Sequence, residues 1–403
     1  MTSTPNTPDK AFGAAASGSG PDGAGPLMQR LERLQAFLQG DPDNHALRVD
    51  IFDTAMSAGV LDCAERQVVE AQERQYDPIA WEFRQASLRI AQKRFAEAQQ
   101  LLRELEAKVG AHPSIAHNLA HIEFQQQSYA ACCDLLRPWM DVPVAKAAAP
   151  ADAVLQVLWL RALHRLGLLE EAWKWVQDQR AADTLSVSAA GIASLIAVDL
   201  GDLDEALTLS ELALVREPLQ MEALVARASV ALAQRDLDRA RALSARALER
   251  NPGDGRAWSA SGFAEMLGMN IERAKQHFQQ ALLWMPKHIG TWHGMGWACL
   301  MLKDMTGAKR AFEEALALDR NFAESHGGLA VLLALTGEPK RAAEHIELAM
   351  RLDKSNLSAW YAQAILSGEV ADAQGIQRLA QRLLGQRQAP MGGTMADWLS
   401  KKS

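Results

Sequence analysis

Residues 255–288 read GRAWSASGFAEMLGMNIERAKQHFQQALLWMPKH, and residues 289–322 read IGTWHGMGWACLMLKDMTGAKRAFEEALALDRNF. Aligned without gaps, the two stretches of 34 residues place the same residue types in the same columns. Counted from the first residue of each, tryptophan stands at position 4, glycine at position 8, alanine at positions 20 and 27, and phenylalanine at position 24. Such a period indicates an array in which each unit buries its apolar face against its neighbours.

The same frame continues on both sides of these two stretches. It is clear from Val187 to Lys354 and weaker upstream, where one insertion of about six residues is needed between 144 and 152. Counting in this frame gives the first residues of about ten units, the last of them partial: His45, Ile79, Pro113, Ala153, Val187, Met221, Gly255, Ile289, Ala323 and Leu357.

This spacing resembles the tetratricopeptide repeat, which is 34 residues long. The resemblance covers about residues 45–384 and implies an all-α fold, a right-handed α-solenoid of about ten antiparallel helical hairpins. Small residues at positions 8 and 20 would let the two helices of a hairpin approach closely. Pro252 and Pro286 would end second helices, because proline lacks an amide donor and clashes with the preceding turn.

Composition predicts four segments along the chain. Residues 1–26 are rich in Ser, Thr, Pro and Gly and are expected to be disordered. Degenerate repeats are predicted over 27–152, and the main array with a C-terminal capping helix over 153–384. Residues 385–403 should form a flexible tail, in which Trp398 and Leu399 either dock into a groove or remain free.

Net charge and cysteine content narrow the range of partners and compartments expected for this protein. The chain has 403 residues and a net charge of −7, which argues against a nucleic-acid partner. It contains four scattered cysteines, read as free thiols of a reducing compartment. We see no secretory signal in residues 1–10 and no apolar stretch long enough to span a membrane, so a cytoplasmic location is expected.

No motif points to catalysis, a metal or a cofactor. The sequence has no P-loop, no dinucleotide fingerprint and no nucleophile elbow, so we expect a protein that is not an enzyme. His117 and His121 are four residues apart and could share a metal, but lining a groove is the alternative we favour. Cys132 stands at position 20, where a buried and inert thiol fits.

The resemblance also implies where a partner would bind. In this family the first helix of each unit lines a concave groove, chiefly through positions 2, 5, 9 and 12. In this sequence those positions place a largely apolar and aromatic set on the groove: Arg256, Ser259, Phe263, Met266, His293, Trp297, Leu300, Val331 and Tyr361. Such a surface suits an apolar or amphipathic peptide, although coverage by adjacent helices is the alternative.

Two further groups of residues have open interpretations. Arg161, His164 and Arg165 form a basic patch that either receives an acidic segment or is simply solvated. The tryptophans at position 4, Trp258, Trp292 and Trp360, are interpreted as core residues rather than ligand contacts.

The leading functional hypothesis is a protein–protein interaction scaffold or adaptor. A bacterial secretion-type chaperone holding an apolar client is one alternative, and a non-catalytic subunit that recruits substrates to an enzyme is another. Self-association is possible for each of them, because solenoids often expose apolar faces.

Overall fold

The computed structural model describes residues 24–141, 152–370, 372–385, 387–390, 394–395 and 397. Its described part forms an all-α solenoid of helical hairpins, so the predicted fold class is confirmed. The helices are α1 Ala24–Gly40, α2 His45–Ala58, α3 Leu61–Glu73, α4 Pro78–Ala91, α5 Phe95–Val109, α6 Pro113–Gln125, α7 Tyr129–Met140, α8 Ala153–Leu166, α9 Leu169–Ala181, α10 Val187–Leu200, α11 Leu203–Arg216, α12 Met221–Ala233, α13 Leu237–Arg250, α14 Gly255–Leu267, α15 Ile271–Trp284, α16 Ile289–Met301, α17 Met305–Leu318, α18 Ala323–Leu335, α19 Pro339–Leu352, α20 Leu357–Leu366 and α21 Ala373–Leu384.

The even-numbered helices begin within one residue of the predicted unit starts. They are named A helices here, and the odd-numbered helices from α3 onward are named B helices. Helix α1 lies before the first hairpin and begins at Ala24, inside the segment for which composition predicts disorder. Residues 1–23 lie outside the described residues, and so does the region 144–152 of the predicted insertion, apart from its last residue. Trp398 and Leu399 of the predicted tail lie outside them as well.

The helices group into two compact units. The N-terminal unit ends at Ala189 and the C-terminal unit begins at Ala190, inside α10. The boundary at 152/153 that the sequence suggests follows the regularity of the repeats and stays a prediction. No helix in the described part of the chain is long and apolar enough to cross a membrane.

Small buried residues at position 20 hold the hairpins together. This position is fully buried in nine successive B helices, at Ala64, Ala98, Cys132, Ala172, Ala206, Ala240, Ala274, Ala308 and Ala342. In the C-terminal unit, Phe278 and Phe312 at position 24 fill the adjoining space. A Cβ built on Gly262 would lie 2.7 Å from the Phe278 ring, and one on Gly296 would lie 2.5 Å from Phe312. Only glycine therefore leaves room for these rings without rearrangement.

In the hairpins from α2–α3 to α18–α19, the turn uses a left-handed residue at position 15. Non-glycine residues with positive φ occupy it in some hairpins, as at Met269 (φ 62°) and Lys303 (φ 59°). Glycine occupies it in others, as at Gly59 and Gly337. The residue just before most A helices then caps the next hairpin: Asn44, Asp254 and Asn356 each accept a hydrogen bond from a backbone amide three residues later.

The position-4 tryptophans correct one expectation. They are not core residues: Trp258 and Trp292 are half-buried, and the side chain of Trp360 is 37% exposed. Each indole N–H donates to the backbone carbonyl six residues upstream, at 2.8 Å, 2.8 Å and 3.1 Å respectively. Because that carbonyl lies in the loop between hairpins, the bond holds the ring at the edge of the array rather than in its centre.

In the N-terminal unit, a buried arginine adds polar contacts to the apolar packing. Arg48 is only 2% exposed and donates to Glu70, to the Gln67 side chain and to the Pro42 carbonyl. These partners satisfy much of a guanidinium that would otherwise be costly to bury. Losing Glu70 would leave the buried Arg48 charge without its carboxylate partner.

Candidate peptide-binding face

The predicted groove residues of the C-terminal unit divide into a buried and a half-buried group. Ser259, His293, Leu300 and Val331 are between 1% and 9% exposed, so they form the floor of this face. Phe263, Met266, Trp297 and Tyr361 are half-buried and remain accessible. The half-buried set, on α14, α16 and α20, is named the A face below.

Hydrogen bonds between successive A helices fix the floor. The hydroxyls of Ser259 and Thr291 lie 3.0 Å apart, linking α14 to α16. One repeat later, His293 Nε2 lies 3.0 Å from the Ser325 hydroxyl, linking α16 to α18. Burial lowers the pKa of His293 to about 4, so its imidazole is neutral at pH 7.

The aromatic residues of the A face rest edge-on upon the position-24 phenylalanines. The Phe263 and Phe278 ring centroids lie 4.9 Å apart with an interplanar angle of 72°. The Trp297 and Phe312 rings lie 5.9 Å apart at 77°. Edge-to-face contacts of this kind are favourable and hold each exposed ring in one orientation. Tyr361 packs against the same core cluster as Trp297.

Arg256 is the one charged member of the predicted groove, and the structure gives it a partner. Its two terminal nitrogens donate to the Asp199 carboxylate on α10 at 2.8 Å and 2.9 Å. The pair spans 57 residues, from one A helix to the A helix two repeats earlier. Nearby His288 has its pKa lowered by burial and by the Arg256 charge.

Sequence reasoning missed the Arg256–Asp199 pair and two exposed apolar residues. Asp199 stands at position 13, which is not one of the positions taken from the family. Met301 and Leu335, also at position 13, are 45% and 48% exposed beside the A face. The signal that could have found them is an apolar residue at the end of successive A helices.

The other candidates lie in the N-terminal unit. His117 and His121 are stacked with ring centroids 6.1 Å apart, and burial lowers the pKa of both. No cluster of three or more metal-ligating residues is found among the described residues. Arg161 and Arg165 are exposed and His164 is half-buried. The Arg161 charge further lowers the pKa of His121, so the histidine pair and the basic patch lie close together.

The cysteines are buried, and the adjacent pair Cys132 and Cys133 are poor nucleophiles. All four are free, and burial raises the pKa of Cys132 to about 12 and that of Cys133 to about 11. Because the thiolate is the reactive form, both are inert at neutral pH.

Comparison with known proteins gives the fold and no activity. Residues 193–265 and 302–356 match the family model described as tetratricopeptide repeat. No curated protein matches this sequence. The solved structure "Human IFIT1 dimer with m7Gppp-AAAA" is 14% identical, with a TM-score of 0.51, over 90% of this chain and 95% of that one.

Two further solved structures are similar at lower scores. The APC/C hetero-tetramer Cut9–Hcn1 is 14% identical over 85% of this chain and 79% of that chain, with a TM-score of 0.43. PilF of Pseudomonas aeruginosa is 21% identical over 50% of this chain and 92% of that chain, with a TM-score of 0.41.

Proposed function

Because this chain is a tetratricopeptide-repeat protein, we propose that it is a protein–protein interaction scaffold whose A face binds an apolar or amphipathic segment of a partner. Free, buried cysteines are consistent with work in the reducing cytoplasm. The partner segment would lie across α14, α16 and α20 and contact Phe263, Met266, Trp297 and Tyr361.

The observation that carries this proposal is the fixed orientation of two half-buried aromatic rings, Phe263 and Trp297, one repeat apart. A ring held in place by its neighbours loses little conformational freedom when a ligand covers it, so more of the contact energy appears as affinity. Aromatic anchors of this type often dominate interface energetics. Met266 beside them can adapt its shape to the ligand.

Charge also favours an apolar ligand over a charged one. Arg256 is bonded in bidentate fashion to Asp199. Its positive charge is therefore largely compensated before any ligand arrives. A strongly acidic ligand would have to displace Asp199 to use this arginine, and would leave the aspartate without its partner.

The test replaces Trp297 with glutamate and uses Trp284→Glu as the matched control. Trp284 is 58% exposed on α15 and does not belong to the A face. Each tagged protein is purified from its native host, co-purifying chains are identified by mass spectrometry, and a synthetic segment of the partner is titrated against both variants. We expect Trp297→Glu to weaken binding by about 30-fold or more, the loss typical of a central anchor, and Trp284→Glu to have no effect.

Circular dichroism separates a lost contact from a lost fold. If Trp297→Glu loses helicity, Trp297 is a core residue and the A face is assigned wrongly. If both variants keep the same partners, binding lies elsewhere, with Arg161, His164 and Arg165 next to be tested. The identity of the partner would distinguish a scaffold from a chaperone with one apolar client or a subunit that recruits enzyme substrates.

A further inference from the structure

Hairpin α18–α19 carries a histidine, His326, at position 4, where α14, α16 and α20 carry a tryptophan. The Nε2 atom of His326 lies 3.1 Å from the Arg320 carbonyl oxygen, six residues upstream. Trp258, Trp292 and Trp360 donate to the carbonyl at the same offset. His326 therefore keeps the hydrogen bond of the repeat. Because a carbonyl oxygen can only accept, the proton of the neutral imidazole is on Nε2.

The second ring nitrogen of His326 faces another histidine. With the proton on Nε2, the Nδ1 atom of His326 has a lone pair. This Nδ1 lies 3.1 Å from the Nδ1 of His345, at position 23 of α19. The ring centroids are farther apart, at 5.3 Å, with an interplanar angle of 37°. The two rings thus meet through their Nδ1 atoms, and in the neutral pair His345 donates the hydrogen bond.

Two imidazole nitrogens at this separation are close to the arrangement of two ligands on one metal ion. Zinc–nitrogen bonds are about 2.0–2.1 Å long, so two nitrogens on a tetrahedral zinc ion lie about 3.4 Å apart. The observed 3.1 Å is shorter by about 0.3 Å, which a small rotation of the two side chains supplies. Metal-binding histidines also usually donate their other N–H to a carbonyl or carboxylate, as His326 does to Arg320.

The histidine pair of the N-terminal unit lacks this geometry. The rings of His117 and His121 are stacked, with an interplanar angle of 19° and centroids 6.1 Å apart. His117 Nδ1 lies 3.3 Å from Asn118 Oδ1, and His121 Nε2 lies 3.4 Å from Gln125 Nε2. Stacked rings keep their lone pairs in separate planes instead of directing them to one point. Of the two pairs, His326 and His345 are therefore better placed to share an ion.

The surroundings keep His345 in the neutral form that binds metals. Burial, the neighbouring His326 and the Arg341 charge lower the pKa of His345, while the Glu344 charge acts to raise it. The Arg341 charge is itself compensated, because Arg341 donates to Glu338 at 2.6 Å. His326 is 7% exposed and held by packing, whereas His345 is half-buried. An ion can therefore reach the pair from the side of His345.

We propose that His326 and His345 bind a divalent transition-metal ion through their Nδ1 atoms and so join α18 to α19. Imidazole is a preferred ligand of zinc, copper and nickel. On binding, the His345 proton moves from Nδ1 to Nε2, so both Nδ1 lone pairs face the ion and neither ring loses its proton. Water or a side chain of a partner fills the other positions, since zinc takes four ligands. The site uses no residue of the A face and does not depend on the proposed peptide binding.

The test is a calorimetric titration of the full chain with zinc chloride at pH 7, after any histidine tag has been removed. His326→Trp recreates the Trp258–His277 pair of α14–α15, whose ring centroids also lie 5.3 Å apart, so the hairpin keeps its packing. His121→Gln, in the stacked pair, is the matched control. We expect zinc affinity to fall by more than about 10-fold in His326→Trp, because losing even a group bonded behind a ligand costs this much. It should be unchanged in His121→Gln, and circular dichroism checks that both variants are folded.

NMR of the imidazole nitrogens identifies the atoms that bind the ion. Zinc should shift the Nδ1 resonances of His326 and His345 and convert His345 to the tautomer protonated on Nε2, while the His117 resonances stay in place. Equal zinc affinity in wild type and His326→Trp would overturn the proposal. Loss of binding in His121→Gln would also overturn it, because the ion would then lie at the stacked pair. If wild type neither releases heat nor shifts these resonances with zinc, the two histidines form a hydrogen bond only and the proposal is wrong.

Discussion

Hairpins α2–α3 and α14–α15 use the same two packing positions in opposite ways. In α2–α3, position 8 holds Phe52 and position 24 holds Val68, and both side chains are buried. In α14–α15, position 8 holds Gly262 and position 24 holds Phe278, which is 0% exposed. The phenylalanine lies on the A helix in the first hairpin and on the B helix in the second. Either helix of a hairpin can therefore supply the large side chain of this contact.

Two upstream hairpins combine a small residue on the A helix with a larger one on the B helix. In α4–α5 the pair is Ala86 and Leu102, and in α6–α7 it is Ala120 and Leu136, all of them at most 2% exposed. Each pair keeps one small and one larger member. The upstream repeats therefore look degenerate in sequence although their hairpins are packed in the same way.

The largest effect is expected from removing the large member of a pair. Phe278→Ala should lower the free energy of unfolding by about 3–5 kcal/mol, because the cavity cannot be filled by Gly262 or Gly294. Val68→Ala in α3 should cost clearly less, since fewer buried methyl groups are lost. Urea unfolding followed by circular dichroism, with hydrogen exchange to locate the loss at α15, measures both. Equal costs would contradict the idea that one ring carries the α14–α15 contact.

The two units also differ in their position-5 histidines, His293 and His117. Burial alone lowers the pKa of His293 to about 4. Burial also lowers the pKa of His117, but the hydrogen bond with Asn118 and the charge of Asp152 act to raise it. Below pH 6.5, His293 binds a proton in the unfolded chain but stays neutral in the folded protein. The free energy of unfolding therefore has its full value above pH 6.5. It falls by about 3 kcal/mol as the pH is lowered towards 4.

The measurement compares urea midpoints at pH 7 and pH 5 for wild type and His293→Asn. Asparagine can still bond to Ser325 but does not titrate, so the variant should lose less stability than wild type on acidification. NMR titration should place the His293 pKa below that of His117. If wild type and His293→Asn lose the same stability on acidification, His293 is not the source of the pH dependence.

A double-mutant cycle of Gly262→Ala and Phe278→Leu tests whether the two residues compete for the same space. The expected coupling free energy is about 2 kcal/mol. Gly262→Ala should destabilise wild type by about 1 kcal/mol, because its Cβ meets the Phe278 ring and outweighs the gain in helix propensity. On a Phe278→Leu background the same change should stabilise, since it recreates the Ala86–Leu102 pair of α4–α5. Gly268→Ala is the control, because its Cβ meets mainly the flexible end of Arg241. A Gly262→Ala effect of the same sign in both backgrounds would contradict the model.

Sequence reasoning located every hairpin but not every accessible surface. The starts of the A helices follow from the 34-residue period, because position 20 is small and buried in each B helix from α3 to α19. Whether Val331 or Trp297 reaches the surface depends on the side chains of adjacent helices. The period therefore could not separate the floor from the A face.

The sequence also could not predict the groove of about 700 Å³ between α19 and α20, which is lined by Ile346, Met350 and Leu366 among others. It arises because α20 ends three residues early, although α21 begins at the usual position 17. A sequence frame that stays in register cannot reveal this. Asp199 was missed for a related reason, since its contact with Arg256 joins hairpins two repeats apart.

The smallest predicted effect concerns the left-handed turn at position 15, where the repeats differ by residue type. Lys303 (φ 59°) strains its backbone in α16–α17, whereas Gly337 (φ 78°) occupies the same position in α18–α19 without strain. Lys303→Gly should raise the free energy of unfolding by about 0.5–1 kcal/mol, because relief of strain exceeds the added freedom of the unfolded chain. Gly337→Ala should lower it by a similar amount. Urea unfolding of both variants checks the two signs, and a loss of stability in Lys303→Gly would show that the lysine side chain contributes more to the turn than its backbone costs.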